Sequence, residues 1–421
     1  MAKASWTATS VATLGGEVAK ALRIARSGRP GPVHVSLPSD LLDATIAAGE
    51  VVWPEPAAFA ASPVPLSDPA ADAILDIIAT AQRPFLLAGP AMANRTGRDL
   101  LARIEAATQV PTAMMESPRG FNDATLGAFA DAIRRADLIV LLGKALDFTT
   151  RWASGSGFDP NVRVISIDPE AALVERAGRE MNGRLVLGSI ADVRNAAETL
   201  IARAATMKSR DGKWLTEARA ALDNRPAAWS AIVSQTANRL HPAEVFRVLR
   251  PYVERDADTV LICDGGEFAQ WGQSMLPLKR RMINGVGGSI GGSLSFALSA
   301  RLAEPKAPVF AVLGDGTIGF HLAEFETAVR RKLPFVAVLG NDALWNAESQ
   351  IQLREYGRDR MHGCDLLPAR YDLVVAALGG HGEFVDKTAD LPGAIERALA
   401  SGKPACINIQ TESIAAPAIR L

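Results

Sequence analysis

The sequence predicts an α/β fold made of two doubly wound parallel-sheet domains behind a short N-terminal α/β segment. Three observations carry this. Wholly apolar runs such as LIVLLG (138–143) and PVFAVLG (308–314) recur along the chain, and strands apolar on both faces belong to parallel sheets covered by helices. Helical stretches alternate with those runs, the rhythm of βαβ units. Two Pro-bearing stretches interrupt the series, and 421 residues exceed what one core holds.

The elements follow in order. GEVAKALRIARS (16–27) reads as a helix and RPGPVHVSLPSDL (29–41) as a short strand after it, giving a first segment over 1–50. The Pro-, Ala- and Ser-rich stretch 51–69 reads as a linker, because proline fixes φ and removes a donor. A central domain over 70–205 takes strands PFLLAG (84–89), VPTAMM (110–115), LIVLLG (138–143), VRVISID (162–168) and RLVLG (184–188), with GRDLLARIEAAT (97–108) helical. The polar stretch 206–235 is a second connector with some helix. A C-terminal domain over 236–421 takes strands at 259–264, 308–314, 334–340, 383–386 and 405–410, and helices at 292–303, 321–332 and 390–401.

Bulk chemistry excludes several classes. A net charge of -1 gives no electrostatic case for nucleic acid or an anionic membrane. The basic cluster Lys279-Arg280-Arg281 reads as a solvated face. Cys263, Cys364 and Cys406 are scattered without a CxxC pair, which fits a reducing compartment and no disulfide framework. No apolar run reaches the roughly 18–20 residues of a bilayer span. A cytoplasmic protein is the expectation.

The chemistry gathers around PVFAVLGDGTIGF (308–320), where an apolar strand stops at Gly-Asp-Gly. The strand, the helix with Leu322, Phe325 and Val329 on one face, and the strand ending before Asn341 form one right-handed βαβ unit. Asp315 and Asn341 then both sit just past carboxyl ends of neighbouring parallel strands, where open α/β sheets bind ligands. Two oxygen ligands there suit a hard cation bridging to a phosphate, and Gly314 and Gly316 permit close backbone approach. The plainer alternative is a simple Gly-Asp-Gly turn. The spacing to Asn341 weighs against it.

That pattern resembles the cofactor motif of thiamine-diphosphate-dependent enzymes, of the acetolactate synthase-like kind. The resemblance implies that Asp315, Asn341 and the backbone carbonyl of Ala343 hold Mg²⁺, with Gly314, Gly316 and Thr317 beside the diphosphate. The family's usual Asn-Asn pair is Gly340-Asn341 here, and the second member is the metal ligand. GVGGSIGGSLSFALSA (285–300) resembles the segment that props the bent cofactor, with Ile290 as the wedge and the Gly288 carbonyl meeting the aminopyrimidine. CDGGEFAQWGQ (263–273) matches the place where relatives offer backbone N–H groups to the diphosphate, naming Glu267 and Phe268. Trp271 reads as core or site at even weight. NDALWNAESQIQLREYG (341–357) implies substrate-facing Trp345, Asn346 and Glu348. His321, near Asp315, reads as structural or exposed rather than as a pocket group.

The central domain resembles that of the acetolactate synthase and oxalyl-CoA decarboxylase group. It shows no G-x-G-x-x-G after a strand, so flavin, ADP and a purely structural role all stay open. The first 50 residues resemble only the last helix and strand of the family's pyrimidine-binding domain, whose activating glutamate neither Glu17 nor Glu50 matches. The expectation is a half site: the chain alone binds the diphosphate end and does not turn over. A truncated product, a subunit completed by a chain carrying the missing domain, and a decayed copy all fit, the first being favoured.

The implied parent activity is thiamine-diphosphate- and Mg²⁺-dependent C–C cleavage or formation on a 2-oxo acid. A 2-hydroxyacyl-CoA lyase or oxalyl-CoA decarboxylase-like enzyme is the runner-up, and a non-catalytic cofactor-binding partner is the rival from another class. A Mg²⁺–nucleotide protein is disfavoured by the missing P-loop. A homodimer or tetramer is implied by the resemblance alone.

Overall fold

The computed structural model describes residues 2–207, 210–276, 278 and 280–421; Lys279 of the basic cluster lies outside the described residues. The chain divides into two compact units. One comprises residues 1–115 and 135–215, the other 116–134 and 216–421.

In the first unit, β1 (Ala4–Thr7) and β2 (Val33–Ser36) pair in parallel around the helix Leu14–Arg26. The sequence reading missed β1, a four-residue strand too short to show alternation. Residues 51–67 hold one short 3-10 turn, Pro56–Phe59, and the exposed Trp53. Regular structure resumes at the helix Asp68–Thr80, whose N-cap Ser67 accepts from Ala70 N.

Five parallel strands follow: β3 (Pro84–Ala88), β4 (Thr112–Met114), β5 (Leu138–Leu142), β6 (Arg163–Ile167) and β7 (Leu185–Ser189), ordered β4-β3-β5-β6-β7. Strands β3 and β5 are buried throughout, which is why they read as unbroken apolar runs. The helices Asp68–Thr80, Arg95–Thr108 and Val193–Arg203 pack Ile74, Ile78, Leu100, Ile104, Ala197 and Leu200 into one core with Leu86, Val140 and Leu142.

The second unit carries β8 (Val260–Cys263), β9 (Arg281–Ile283), β10 (Val309–Gly314), β11 (Val336–Asn341), β12 (His381–Val385) and β13 (Ala405–Gln410). They form one all-parallel sheet ordered β12-β13-β11-β10-β8-β9. Alternate residues serve opposite cores. Phe310 and Val312 of β10 join Phe246, Leu249 and Ile395 on one face, while Ala311 and Leu313 join Leu294, Phe325 and Val375 on the other. The predicted doubly wound parallel architecture is what the chain adopts.

Two local expectations need correction. The helix expected over 321–332 is Glu324–Arg331, and an unforeseen helix, Asp315–His321, precedes it. Gly314 is the N-cap, and the Thr317 hydroxyl accepts from its N–H at 3.1 Å, so the helix begins at the aspartate itself. Strand β9 was not foreseen, because Arg281-Met282-Ile283 is a short, partly exposed edge with no apolar run to mark it.

After β8 the chain runs to β9 on one side, then crosses to β10 on the other. That reversal makes a crevice at the carboxyl ends of β8 and β10, the standard ligand position in an open α/β sheet.

Candidate functional site

Gly314 pairs with Gly340 in the β10–β11 register, so Asp315 and Asn341 lie one step beyond the last matched pair of neighbouring strands. Asp315 is 3% exposed. One carboxylate oxygen accepts from Gly316 N at 3.0 Å and the other from Ala343 N at 2.8 Å. Ala343 can approach because it adopts a left-handed φ of 62°. Burial pushes the Asp315 carboxyl up to about 6. The neighbouring Asp342 rises to about 7, through burial first and the charge of Asp315 second.

Asn341 is fully buried. Its Nδ2 donates to Ala369 O at 2.9 Å and Asn408 Oδ1 at 3.1 Å. Its Oδ1 has no hydrogen-bond partner. A buried carbonyl oxygen without a partner is costly in a folded protein. This oxygen and two carboxyls raised toward neutrality fit a hard, oxygen-seeking cation. The Ala343 carbonyl accepts from Leu366 N at 2.8 Å, which leaves one lone pair. No group of three or more His, Cys, Asp or Glu side chains suited to a metal occurs among the described residues, so a cation here draws on an amide and backbone oxygen.

A cleft opens beside these groups. It is lined by Glu267, Phe268, Ile290, Gly314, Asp315, Gly316, Thr317, Trp345, Asn346 and Glu348 among the predicted residues, joined by Gly265 and Gly340. Gly288, Asn341, Ala343 and His321 are not among the lining residues. His321 is exposed, with Nδ1 2.7 Å from Gly291 O. Trp271 belongs to the core, donating to Ala415 O and packing 5.1 Å from Trp229.

The anion end of the cleft is built at β8. Gly266, at φ 89°, turns the chain into the helix Glu267–Met275, which no side chain caps. Its first N–H groups are the free donors of a helix start. The Glu267 side chain is committed elsewhere, to Arg119 at 2.8 Å and to Ala416 N, so only its backbone is available there. Ile290 packs against Gly265, where an added Cβ would lie 2.5 Å from Ile290 Cγ2.

Asp264 was not singled out from sequence. Its two oxygens accept from Gly265 N, Gly291 N at 2.9 Å and Ser293 N at 3.1 Å, tying the end of β8 to the loop that carries Ile290. The only local signal was a carboxylate directly after an apolar strand.

Residues 264–409, which run from Asp264 to the penultimate residue of β13, match the family described as thiamine pyrophosphate enzyme, C-terminal TPP binding domain. An acetolactate synthase large subunit of Mycobacterium tuberculosis is 32% identical over 367 residues, covering 85% of this chain and 64% of the relative. Through residues 264–409 the chain is similar to thiamine-diphosphate-dependent enzymes. It is also similar to 2-hydroxyacyl-CoA lyase 2 of Caenorhabditis elegans, 26% identical with 88% of this chain and 64% of that protein covered. Oxalyl-CoA decarboxylase of Escherichia coli is 25% identical, with 97% of this chain and 73% of that protein covered. The chain thus spans 64% of the length of the mycobacterial synthase. No helix among the described residues is long and apolar enough to cross a membrane.

Proposed function

We propose that this chain holds Mg²⁺ and the diphosphate of thiamine diphosphate for an acetolactate synthase-like C–C lyase or carboligase acting on a 2-oxo acid. The observation that carries the reading is the pair Asp315 and Asn341, buried one step past the paired ends of β10 and β11, with the Asn341 amide oxygen left without a partner.

When bound, the thiazolium supplies a stabilised carbanion that makes or breaks the bond next to a carbonyl. The chain's own residues bind and orient. Asp315, the Asn341 amide oxygen and the remaining lone pair of the Ala343 carbonyl take the cation. The first N–H groups of the helix Glu267–Met275 take diphosphate oxygens. Ile290, stiff at χ1 and braced on Gly265, props the ring system. Trp345 forms an apolar wall, held by Cys364 O on its N–H and by the edge of Phe320, and Asn346 and Glu348 face the substrate side.

A homodimer or tetramer in the cytoplasm is the working form we infer, measurable by light scattering. A 2-hydroxyacyl-CoA or oxalyl-CoA substrate is the second reading. The 97% of this chain covered by oxalyl-CoA decarboxylase favours keeping it. The first test is calorimetric titration of thiamine diphosphate with and without Mg²⁺. Binding that needs Mg²⁺ and is lost in Asp315→Ala supports the reading; no binding at millimolar cofactor sinks it. Pyruvate against acyl-CoA turnover, with the chain alone and with a pyrimidine-binding domain supplied separately, then chooses between the substrates.

A further inference from the structure

An asparagine offers a cation its oxygen or, turned over, a useless NH₂ group. Here a chain of hydrogen bonds decides first. The Asp372 carboxylate, 3% exposed, is gripped by Arg370 through Nε at 2.9 Å and Nη2 at 2.6 Å. An ionised carboxylate only accepts. Asn408, wholly buried on β13, must therefore turn its NH₂ toward Asp372 Oδ1 at 3.1 Å, where it also reaches Ala369 O at 3.0 Å. Its Oδ1 is left to face Asn341, and accepts from Asn341 Nδ2 at 3.1 Å. Asn341 donates its other amide proton to Ala369 O at 2.9 Å. Both Asn341 amide protons are spent, and Oδ1 alone remains free.

Resting on the cation reading above, we propose that Asp372, acting through Asn408, is a positioning residue that fixes the Asn341 amide so that its oxygen faces the cation. The polarity runs one way because the groups that end the network only accept: the Asp372 carboxylate beyond Asn408, and Ala369 O, which takes a proton from each amide. Each amide has two faces; the carboxylate has one kind of atom. Turning both amides over would keep the bond between them, lose both bonds to Ala369 O and set Asn408 Oδ1 against the Asp372 carboxylate; without Asp372 the last of these costs disappears. The relay is cooperative in the sense of buried polar networks, where one unpaired group is expensive.

The test follows the free-ion EPR signal of Mn²⁺ added to the chain with thiamine diphosphate. Asp372→Asn offers Asn408 either a donor or an acceptor, and Mn²⁺ affinity is expected to fall roughly 10–100-fold, as for other outer residues of metal sites. Asn341→Asp offers the cation oxygen whichever way it turns, but sets its second oxygen against Asn408 Oδ1 and Ala369 O. In that background Asp372→Asn lets Asn408 turn its NH₂ toward the new carboxylate, so Mn²⁺ affinity should hold or rise. An equal loss in both backgrounds would make Asp372 a merely structural residue and overturn the proposal, as would an unchanged affinity in Asp372→Asn alone. Failure of the unaltered chain to retain Mn²⁺ would remove the cation reading itself, a result separable from either. If Asp372→Asn does not fold by circular dichroism, a crystal of the unaltered chain with Mg²⁺ decides: Oδ1 of Asn341 within about 2.0–2.2 Å of the ion supports the relay, and a side chain turned away refutes it.

Discussion

The ring of Phe268 occupies the space that a side chain on Gly340 would need. A Cβ added at Gly340 would lie 2.3 Å from Phe268 Cγ. This explains why the first member of the family's Asn-Asn pair is a glycine here, and it makes the two positions one unit. Gly340→Asn should destabilise the chain by about 1–3 kcal/mol, the usual cost of overpacking a core. Phe268→Ala should recover part of that loss, so that the four chains of the cycle are non-additive. Urea unfolding of all four measures it; strict additivity would show that the ring moves aside freely.

Asp315 is a charge the fold tolerates rather than wants, since burial raises its pKa to about 6. Asp315→Asn should therefore keep or raise the melting temperature of the cation-free chain at pH 7.5. The same variant should lose the further rise given by Mg²⁺ with thiamine diphosphate. Thermal melts with and without both additions check the two halves. A large loss of cation-free stability would mean that the contacts to Gly316 and Ala343 outweigh the burial cost.

The pH dependence has a definite sign. Asp315 and Asp342 rise from an ordinary value of 3.8 to about 6 and about 7. Folded, they hold protons that an unfolded chain has released, so through these groups the cation-free fold loses stability as pH rises from about 4 to 7. A bound cation needs Asp315 deprotonated, and its positive charge favours the ionised form of Asp342 beside it, so binding reverses the trend. Mg²⁺ with thiamine diphosphate should raise the melting temperature more at pH 7.5 than at pH 5.5. Calorimetry at pH 6.5 in buffers of different ionisation enthalpy should register proton release on binding. Equal thermal shifts at both pH values would count against it.

Asp264 holds the loop of Ile290 to the end of β8 through Gly291 N and Ser293 N. Asp264→Ala leaves buried donors unpaired, at about 1–3 kcal/mol. Hydrogen exchange should speed up over residues 285–293 and leave β10 and β11 protected. Acceleration spread over the whole sheet would point to global destabilisation instead.

Ile290 should matter to the ring system and not to the diphosphate. Ile290→Ala is expected to weaken thiamine diphosphate binding roughly tenfold, about 1.4 kcal/mol, while inorganic pyrophosphate with Mg²⁺ binds as before. A matching loss for pyrophosphate would place Ile290 in the anion end of the cleft.

By itself the sequence determined the architecture and the strand ends that border the candidate cleft. Apolar runs such as LIVLLG report burial on both faces of a strand, and that is a local signal. The Gly-Asp-Gly after β10 and the Asn after β11 mark strand ends, and parallel register brings strand ends together whatever else the chain does. Other features were decided only in three dimensions. The helix starting on Asp315, the short strands β1 and β9, and Asp264 bridging to Gly291 leave no periodic trace. The glycine at 340 is explained only by an aromatic ring that arrives from the helix after β8. Which atom of Asn341 remains free depends on Ala369, Asp372 and Asn408, 28 to 67 residues further along the chain. The reason is physical: periodicity records which face of an element is buried, whereas a contact between distant segments exists only once the chain between them has folded.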